Sequence, residues 1–128
     1  MLERFRLNYE AFFGAMPSVH LAFFTDLKPY YETDDVICVH GGVEPGERLM
    51  NLQDTEVLIW GTAGFPDDYR GARSVVYGHW DNAAVDDAGR PWPRILSNRT
   101  FGIDTISKGV LTAMRFPDGM IFQSEKGL

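Results

Sequence analysis

The amino-terminal segment of the chain carries hydrophobic residues at helical spacing. Steps of mainly three and four residues separate Leu2, Phe5, Tyr9, Phe12, Phe13 and Met16. This spacing places side chains along one face of an α-helix. We expect the helix to end at Pro17, since a proline ring and its missing N–H disrupt a helix interior.

A second short helix is predicted directly after Pro17. Ser18 is a candidate N-cap, because a serine hydroxyl can accept a hydrogen bond from the first turn. The apolar residues of this helix are Leu21, Phe23, Phe24 and Leu27. Pro29 ends it. The chain is therefore expected to begin with a helical pair.

From residue 36 onwards the hydrophobic pattern is that of β-strands. Short apolar runs rich in β-branched residues occur at Val36–Val39, Val57–Trp60 and Ser74–Tyr77, with Thr100–Ile103 as a further candidate. Such runs are typical of strands that are buried on both faces. They predict a sheet in the second part of the chain.

A β-hairpin is predicted near the carboxyl end. Val110–Phe116 and Met120–Gln123 flank Pro117–Gly119, a turn tripeptide with glycine placed for a positive φ. With the helical pair, these elements predict an α/β fold whose second half is rich in strands.

Long polar loops connect the predicted strands, at Glu44–Glu56, Phe65–Arg73 and Asp81–Asn98. Loops of this length in a small domain usually carry function. We therefore expect the chemistry at one rim of the sheet.

Composition indicates one folded domain over residues 1–128. The chain has 128 residues, 45% hydrophobic, with 12 Lys and Arg against 18 Asp and Glu and a net charge of −6. No basic excess is present to bind a nucleic-acid polymer or an anionic membrane. Acidic residues dominate the first half, so the second half is the expected place for an anionic ligand.

Cysteine content and the amino terminus indicate a cytoplasmic protein. Cys38 is the single cysteine, which excludes an internal disulfide and a cysteine-rich zinc site. The first residues are charged and lack a long apolar core, so we expect no signal peptide. We also expect no membrane-spanning segment, because every uninterrupted apolar stretch is only a few residues long.

Two histidines follow predicted strands in the same way. His40 comes directly after Val36–Val39, and His79 comes after Ser74–Tyr77 and Gly78. Imidazole is a common ligand for divalent metals, so the pair is a candidate to hold one ion. The alternative is that each histidine is a hydrogen-bonding residue at a strand end. His20, inside the second helix, is interpreted as structural or exposed.

Longer strings around these histidines resemble the calcineurin-like metallophosphoesterases. Val36–Gly42 resembles their strand-His-Gly/Ala-Gly motif, and Val75–His79 their strand-Gly-His motif. The family's closing strands are resembled by Phe101–Thr105 together with Gly109–Ala113. Leu58–Trp60 resembles the Leu-Trp sequence that precedes the family's phosphate-contacting region. The branch most similar contains the serine/threonine phosphatases and the bacterial diadenosine tetraphosphatases.

The resemblance implies a two-metal phosphoesterase with an αββα sandwich of two mixed sheets. Two divalent ions (manganese, iron or zinc) would activate a water that attacks a phosphate-containing substrate. His40 and His79 would ligate the second ion, and Gly41 and Gly78 would make room for ion and phosphate. Asp104 would support a histidine, or instead hold a turn through its own backbone.

Other residues of the same region have two interpretations each. Arg70 and Arg73 match the region where the family grips phosphoryl oxygens, or they are solvated loop arginines. Asp81 offers an oxygen to a metal or caps the next turn. Trp80 stacks on a nucleobase or packs inside.

The motifs of the family's first half are missing from this sequence. Gly-Asp-x-His-Gly, Gly-Asp-x-x-Asp-Arg-Gly and Gly-Asn-His-Glu do not occur, so the bridging aspartate and the first-metal ligands have no counterpart. The chain resembles the carboxyl-terminal half of such an enzyme. We expect it to need the amino-terminal half or to self-associate. The alternative is a non-catalytic remnant that binds a partner or an anion.

Overall fold

The computed structural model describes residues 9–46, 49–79 and 84–125, which form a mixed α/β arrangement. The α-helices are α1 (Tyr9–Ala15), α2 (Ser18–Asp26) and α3 (Thr55–Trp60). The strands are β1 (Tyr30–Glu32), β2 (Val36–Val39), β3 (Ser74–Tyr77), β4 (Ala84–Val85), β5 (Pro91–Trp92), β6 (Arg94–Ile95), β7 (Thr100–Gly102), β8 (Thr112–Arg115) and β9 (Met120–Gln123). None of the helices in these residues is long and apolar enough to cross a membrane.

A five-stranded mixed sheet in the order β1-β2-β3-β7-β6 forms the centre of the structure. Its three inner strands are parallel, with Ile37 opposite Val75 and Val75 opposite Thr100. The two outer strands, β1 and β6, run antiparallel to their neighbours. The strands predicted at Val36–Val39 and Ser74–Tyr77 are confirmed, and β7 confirms most of the candidate at Thr100–Ile103.

The hydrophobic core lies on one face of this sheet. Strands β2 and β3 contribute apolar side chains, and the connections between them contribute the rest. The core cluster is Ile37, Val39, Val43, Met50, Leu58, Tyr69, Val75 and Tyr77. Parallel strands alternate their side chains between faces, so every second residue of β2 and β3 reaches this layer.

Tyr77 places a hydroxyl group inside this core. The side chain is only 2% exposed and its ring packs edge-on against Phe65, with centroids 4.8 Å apart. Within the described residues the hydroxyl has no hydrogen-bond partner. Burial raises the pKa of Tyr77 to about 12, with Arg94 acting to lower it and Asp67 to raise it.

The predicted helical pair is confirmed in α1 and α2, with one correction. Pro17, not Ser18, occupies the N-cap of α2, and no side chain caps that end. Proline fits there because its fixed φ suits a helix start and its missing N–H is not needed. The part of the first prediction that includes Leu2 and Phe5 lies outside the described residues.

Apolar side chains of the helical pair lie at the surface. No residue of α2 is buried, and Phe12 and Phe23 are 58% and 62% exposed. A helix that is hydrophobic around most of its circumference normally packs against other elements. The helical pair is therefore an uncovered apolar surface.

The strand predicted at Val57–Trp60 is wrong, because this segment is the end of α3. The Asp54 side chain accepts a hydrogen bond from the Glu56 backbone N–H at 3.0 Å and caps the helix. Gly61, with φ of 74°, ends it. A short apolar run fits a strand and a buried helix equally well, so the pattern of Val57–Trp60 alone did not decide between them.

The predicted hairpin at the carboxyl end is confirmed in β8 and β9, with Gly119 at a φ of 67° in the turn. Buried hydroxyl groups connect the hairpin to the segment after β7. Thr105 Oγ1 donates to the Val110 carbonyl at 2.8 Å and lies 2.6 Å from Thr112 Oγ1. Buried hydroxyls need such partners, and these bonds fix the hairpin against the sheet.

We predict that Tyr77→Phe loses less stability than wild type as the pH rises above 10. A folded-state pKa near 12 exceeds the ordinary value near 10. The folded chain thus keeps a proton that the unfolded chain loses, and stability falls as pH rises from 10 through 12. Removing a buried hydroxyl without a partner also stabilises the fold by roughly 1 kcal/mol at pH 7.

Urea denaturation between pH 7 and 11.5 measures this difference. Tyr31→Phe is the matched control, because that side chain is 66% exposed. An alkaline loss of stability that is the same in Tyr77→Phe and wild type would contradict the prediction.

Candidate functional site

His40 and His79 lie side by side at the carboxyl ends of two neighbouring parallel strands. His40 follows β2, and His79 comes two residues after β3. His40 Nε2 is 2.8 Å from His79 Nδ1, and the ring centroids are 4.8 Å apart. The His40 carbonyl also accepts a hydrogen bond from the Gly78 N–H at 2.9 Å. The strand pairing thus continues into the site.

His79 adopts a backbone conformation that is rare for a side-chain-bearing residue. Its φ is 70°, in the left-handed region. Such a conformation costs on the order of 1 kcal/mol or more and is common at functional sites. The Trp60 ring packs edge-on against the His79 ring with centroids 4.9 Å apart. The strand pattern of Val57–Trp60 did not predict Trp60 as a site residue, because a strand over these residues does not bring Trp60 against His79.

Gly41 brings the loop after β2 into contact with α3. The Gly41 N–H donates to the Leu58 carbonyl at 2.8 Å. A Cβ atom at Gly41 would meet the backbone of Ile59, and one at Gly42 would lie 2.7 Å from the Phe65 ring. Gly41 thus allows close approach of the end of α3, and Gly42 allows close approach of the Phe65 ring. The role beside an ion and a phosphate that the resemblance implies for Gly41 and Gly78 stays a prediction.

Gly78 and Asp104 lie next to each other at the same edge of the sheet. A Cβ atom at Gly78 would be 3.8 Å from the Asp104 Cβ, an ordinary contact. Asp104 comes two residues after β7, the third parallel strand, and the Ile103 N–H donates to the Tyr77 carbonyl at 3.0 Å. Three consecutive parallel strands therefore place His40, His79 and Asp104 at one rim.

The described residues contain no group of three histidine, cysteine or carboxylate side chains that could hold a metal ion. Asp104 is thus not part of a three-ligand cluster with the histidines. Asp81 and Trp80, the other candidates from sequence, lie outside the described residues.

The two predicted phosphate-binding arginines lie at the other end of the strands. Arg73 directly precedes β3 and pairs with Glu32 at 2.6 Å. Arg70 lines a shallow pocket together with Arg99, which directly precedes β7. The structure therefore does not bring Arg70 or Arg73 to the histidines.

An apolar groove of about 400 Å³ leads along the outer face of the sheet to His40. Cys38 and Val76 of the sheet line it, together with Met114 and Phe116 of the hairpin region. Burial raises the pKa of the Cys38 thiol, so the reactive thiolate is disfavoured. The groove gives His40 apolar neighbours on one side.

The histidine pair fits two positions of a metal coordination sphere. Imidazole nitrogen binds zinc and similar ions at roughly 2.0–2.1 Å. Two such nitrogens face each other here, and His40 is exposed. An ion would replace the hydrogen bond that the rings now share. Further ligands have to come from outside the described residues.

Comparison with protein-family models, curated proteins and solved structures finds no match to this chain. The metallophosphoesterase resemblance therefore stays a prediction that rests on the motifs quoted above.

We predict that Gly41→Ala destabilises the fold by about 3 kcal/mol or more. The added methyl group overlaps backbone atoms at the end of α3, which cannot move without displacing Leu58 from the core. Gly78→Ala is the matched control, because its methyl group makes only contacts of 3.8 Å. Thermal and urea denaturation compare the two variants. Equal stability of both would show that the contact between Gly41 and α3 is not required.

Proposed function

We propose that this chain supplies histidine ligands to a metal-dependent phosphoesterase site. The observation that supports this most is the 2.8 Å approach of His40 Nε2 and His79 Nδ1 at the ends of adjacent parallel strands. Rigid strand ends hold ligands precisely enough for an ion. The substrate class is a phosphomonoester, a phosphoprotein or a dinucleoside polyphosphate, and the ions are manganese, iron or zinc.

The surroundings of the histidines support a role in binding and orientation. Divalent ions at this position would supply Lewis acidity for hydrolysis of a phosphate ester. Trp60 packs against His79 and restricts its ring, and the positive φ of His79 turns it towards His40. Ligands whose orientation is fixed before binding hold a metal more tightly.

The site is incomplete within the described residues, and we propose that acidic ligands come from another segment. Two imidazoles lack the bridging carboxylate of a two-metal centre. The outer face of the sheet, with Cys38, Val76 and the groove beside them, is apolar. We propose that a second sheet packs there, which would give the αββα sandwich that the motifs imply.

Phosphatase assays with p-nitrophenyl phosphate and manganese test this function. The chain is assayed alone and after coexpression with the segment encoded directly upstream of Met1. We expect manganese-dependent hydrolysis that falls at least 100-fold in His40→Ala and His79→Ala. His20→Ala is the matched control, since His20 lies exposed on α2, and its activity should stay within twofold of wild type.

Manganese titration by calorimetry gives a second readout that does not depend on turnover. We expect at least tenfold weaker binding in His40→Ala and unchanged binding in His20→Ala. Two results would overturn the proposal. One is hydrolysis that is unchanged in both His40→Ala and His79→Ala, and the other is no hydrolysis either by the chain alone or by the coexpressed preparation.

A non-catalytic partner-binding domain is the second candidate, and the helical pair is the observation that favours it. Residues 11–25 contain no charged side chain. Phe13, Val19 and Phe24 are 47%, 71% and 54% exposed. An aromatic side chain offers roughly 150–250 Å², so the pair exposes apolar area on the order of one side of a standard interface, about 800 Å².

We predict that the chain self-associates through this surface when no other partner is present. Light scattering coupled to gel filtration at micromolar concentration should give at least a dimer for wild type. The double variant Phe23→Ser with Phe24→Ser should be monomeric, because it removes apolar area without touching the sheet. Leu111→Ser is the control, because Leu111 is 57% exposed and lies outside the helical pair, directly before β8. A monomeric wild type would contradict the prediction.

A further inference from the structure

Two arginines share a pocket at the end of the sheet opposite to the histidines. The pocket has a volume of about 340 Å³ and lies where the segments before β3 and β7 meet. Arg70 and Ala72 line one side, and Ser97 and Arg99 line the other. We propose that it binds a small anion through a phosphate or carboxylate group held between the guanidinium groups of Arg70 and Arg99.

Charge pairing singles out these two arginines. Four other arginines in the described part of the chain form ion pairs: Arg73 with Glu32, Arg90 with Asp86, Arg94 with Asp67 and Arg115 with Asp118. Within the same residues no carboxylate pairs with Arg70 or Arg99. The two arginines without a carboxylate thus line one pocket, in a chain whose net charge is −6.

The two acidic side chains of the loop before β3, Asp67 and Asp68, make their contacts away from the two arginines. Asp67 accepts two hydrogen bonds from the Arg94 guanidinium, at 2.9 and 3.1 Å. Asp68 packs against Gly64, and its Oδ1 is buried. The positive charge of the pocket is therefore not neutralised by the loop that forms it. A planar guanidinium group binds phosphate or carboxylate in a bidentate manner.

Hydrogen bonds hold the walls of the pocket in place. The Asn98 amide donates to the carbonyls of Pro66 and Tyr69, at 2.8 and 3.3 Å. The Tyr69 hydroxyl donates to the Arg73 carbonyl at 2.9 Å. The Asn98 bonds join the loop before β3 to the loop before β7, and the Tyr69 bond braces the loop before β3. A rigid framework of this kind reduces the entropy lost when a ligand binds.

Arg99 is itself held in an unusual conformation. Its φ is 67°, and the only other non-glycine residue with positive φ in the described ranges is His79. Its guanidinium donates to the Ala72 carbonyl across the pocket. Its backbone carbonyl accepts from the Val75 N–H at 2.9 Å. Strain of this kind is concentrated at ligand-binding positions, which agrees with a binding role for this side chain.

The arginine pocket and the histidine pair are separate sites. The four residues of β3 lie between them, which corresponds to a distance on the order of 13 Å. The resemblance assigned Arg70 to the phosphate of the metal site, whereas its position beside Arg99 points to a ligand of its own. The inference therefore goes beyond the proposed function and does not depend on it.

Titration of the ¹⁵N-labelled chain with inorganic phosphate, and separately with succinate, tests the proposal at constant ionic strength. We expect saturable shifts of the amides at residues 69–72 and 97–99. Arg70→Gln and Arg99→Gly should each weaken binding at least fivefold. Glycine suits the positive φ at residue 99, so that variant keeps the fold. Stronger binding of phosphate than of succinate would identify a phosphorylated ligand, and the reverse a carboxylate.

Two control variants separate this site from nonspecific effects of charge and of side-chain loss. Arg115→Gln removes an arginine that is paired with Asp118, and His20→Ala removes an exposed histidine of α2. Both should bind phosphate as wild type does. Linear shifts without saturation, or unchanged binding in both Arg70→Gln and Arg99→Gly, would overturn the proposal whatever the phosphatase assays show.

Discussion

One close contact between backbones determines how the rest of the structure is arranged, that of Gly41 with the last turn of α3. It places Leu58 in the core and Trp60 against His79, while the chain before Gly41 is held in the sheet as β2. The same contact therefore sets the core and the histidine rim. A side chain at residue 41 would separate the helix from the sheet, and the site would lose one of its walls.

The parts of the fold that could be predicted from the sequence are those whose local signals agree with their tertiary environment. Strands β2 and β3 are apolar and β-branched, and they are buried in the sheet. Helix α3 has the same composition, and only Asp54 and Gly61 at its ends distinguish it from a strand. The two-residue strands β4, β5 and β6 lie in a segment predicted as loop, because elements that short have no periodicity to detect.

The histidine rim could be predicted from the sequence in part. A histidine after each of two buried strands is visible in the sequence, and parallel pairing brings the two together. The edge-on packing of Trp60 on His79 depends on α3 and was not predictable from the strand pattern. Two of the four arginine–carboxylate pairs in the described residues join residues distant in sequence, Arg73 with Glu32 and Arg94 with Asp67. Sequence alone therefore could not show which guanidinium groups stay available for a ligand.

The parallel order of the inner strands has a consequence for synthesis on the ribosome. Ile37 pairs with Val75, and Val75 pairs with Thr100, so each pairing joins residues far apart along the chain. Such a contact cannot form before both strands have been synthesised, and the entropy of closing the long loop between them then opposes it. A nascent chain that ends before residue 100 already contains α1, α2 and β2. It lacks β7, the strand that completes the three inner parallel strands. The aromatic helices therefore emerge before the parallel sheet is complete. Because they also stay exposed in the folded structure, a chaperone or a partner can bind them from the time they leave the ribosome.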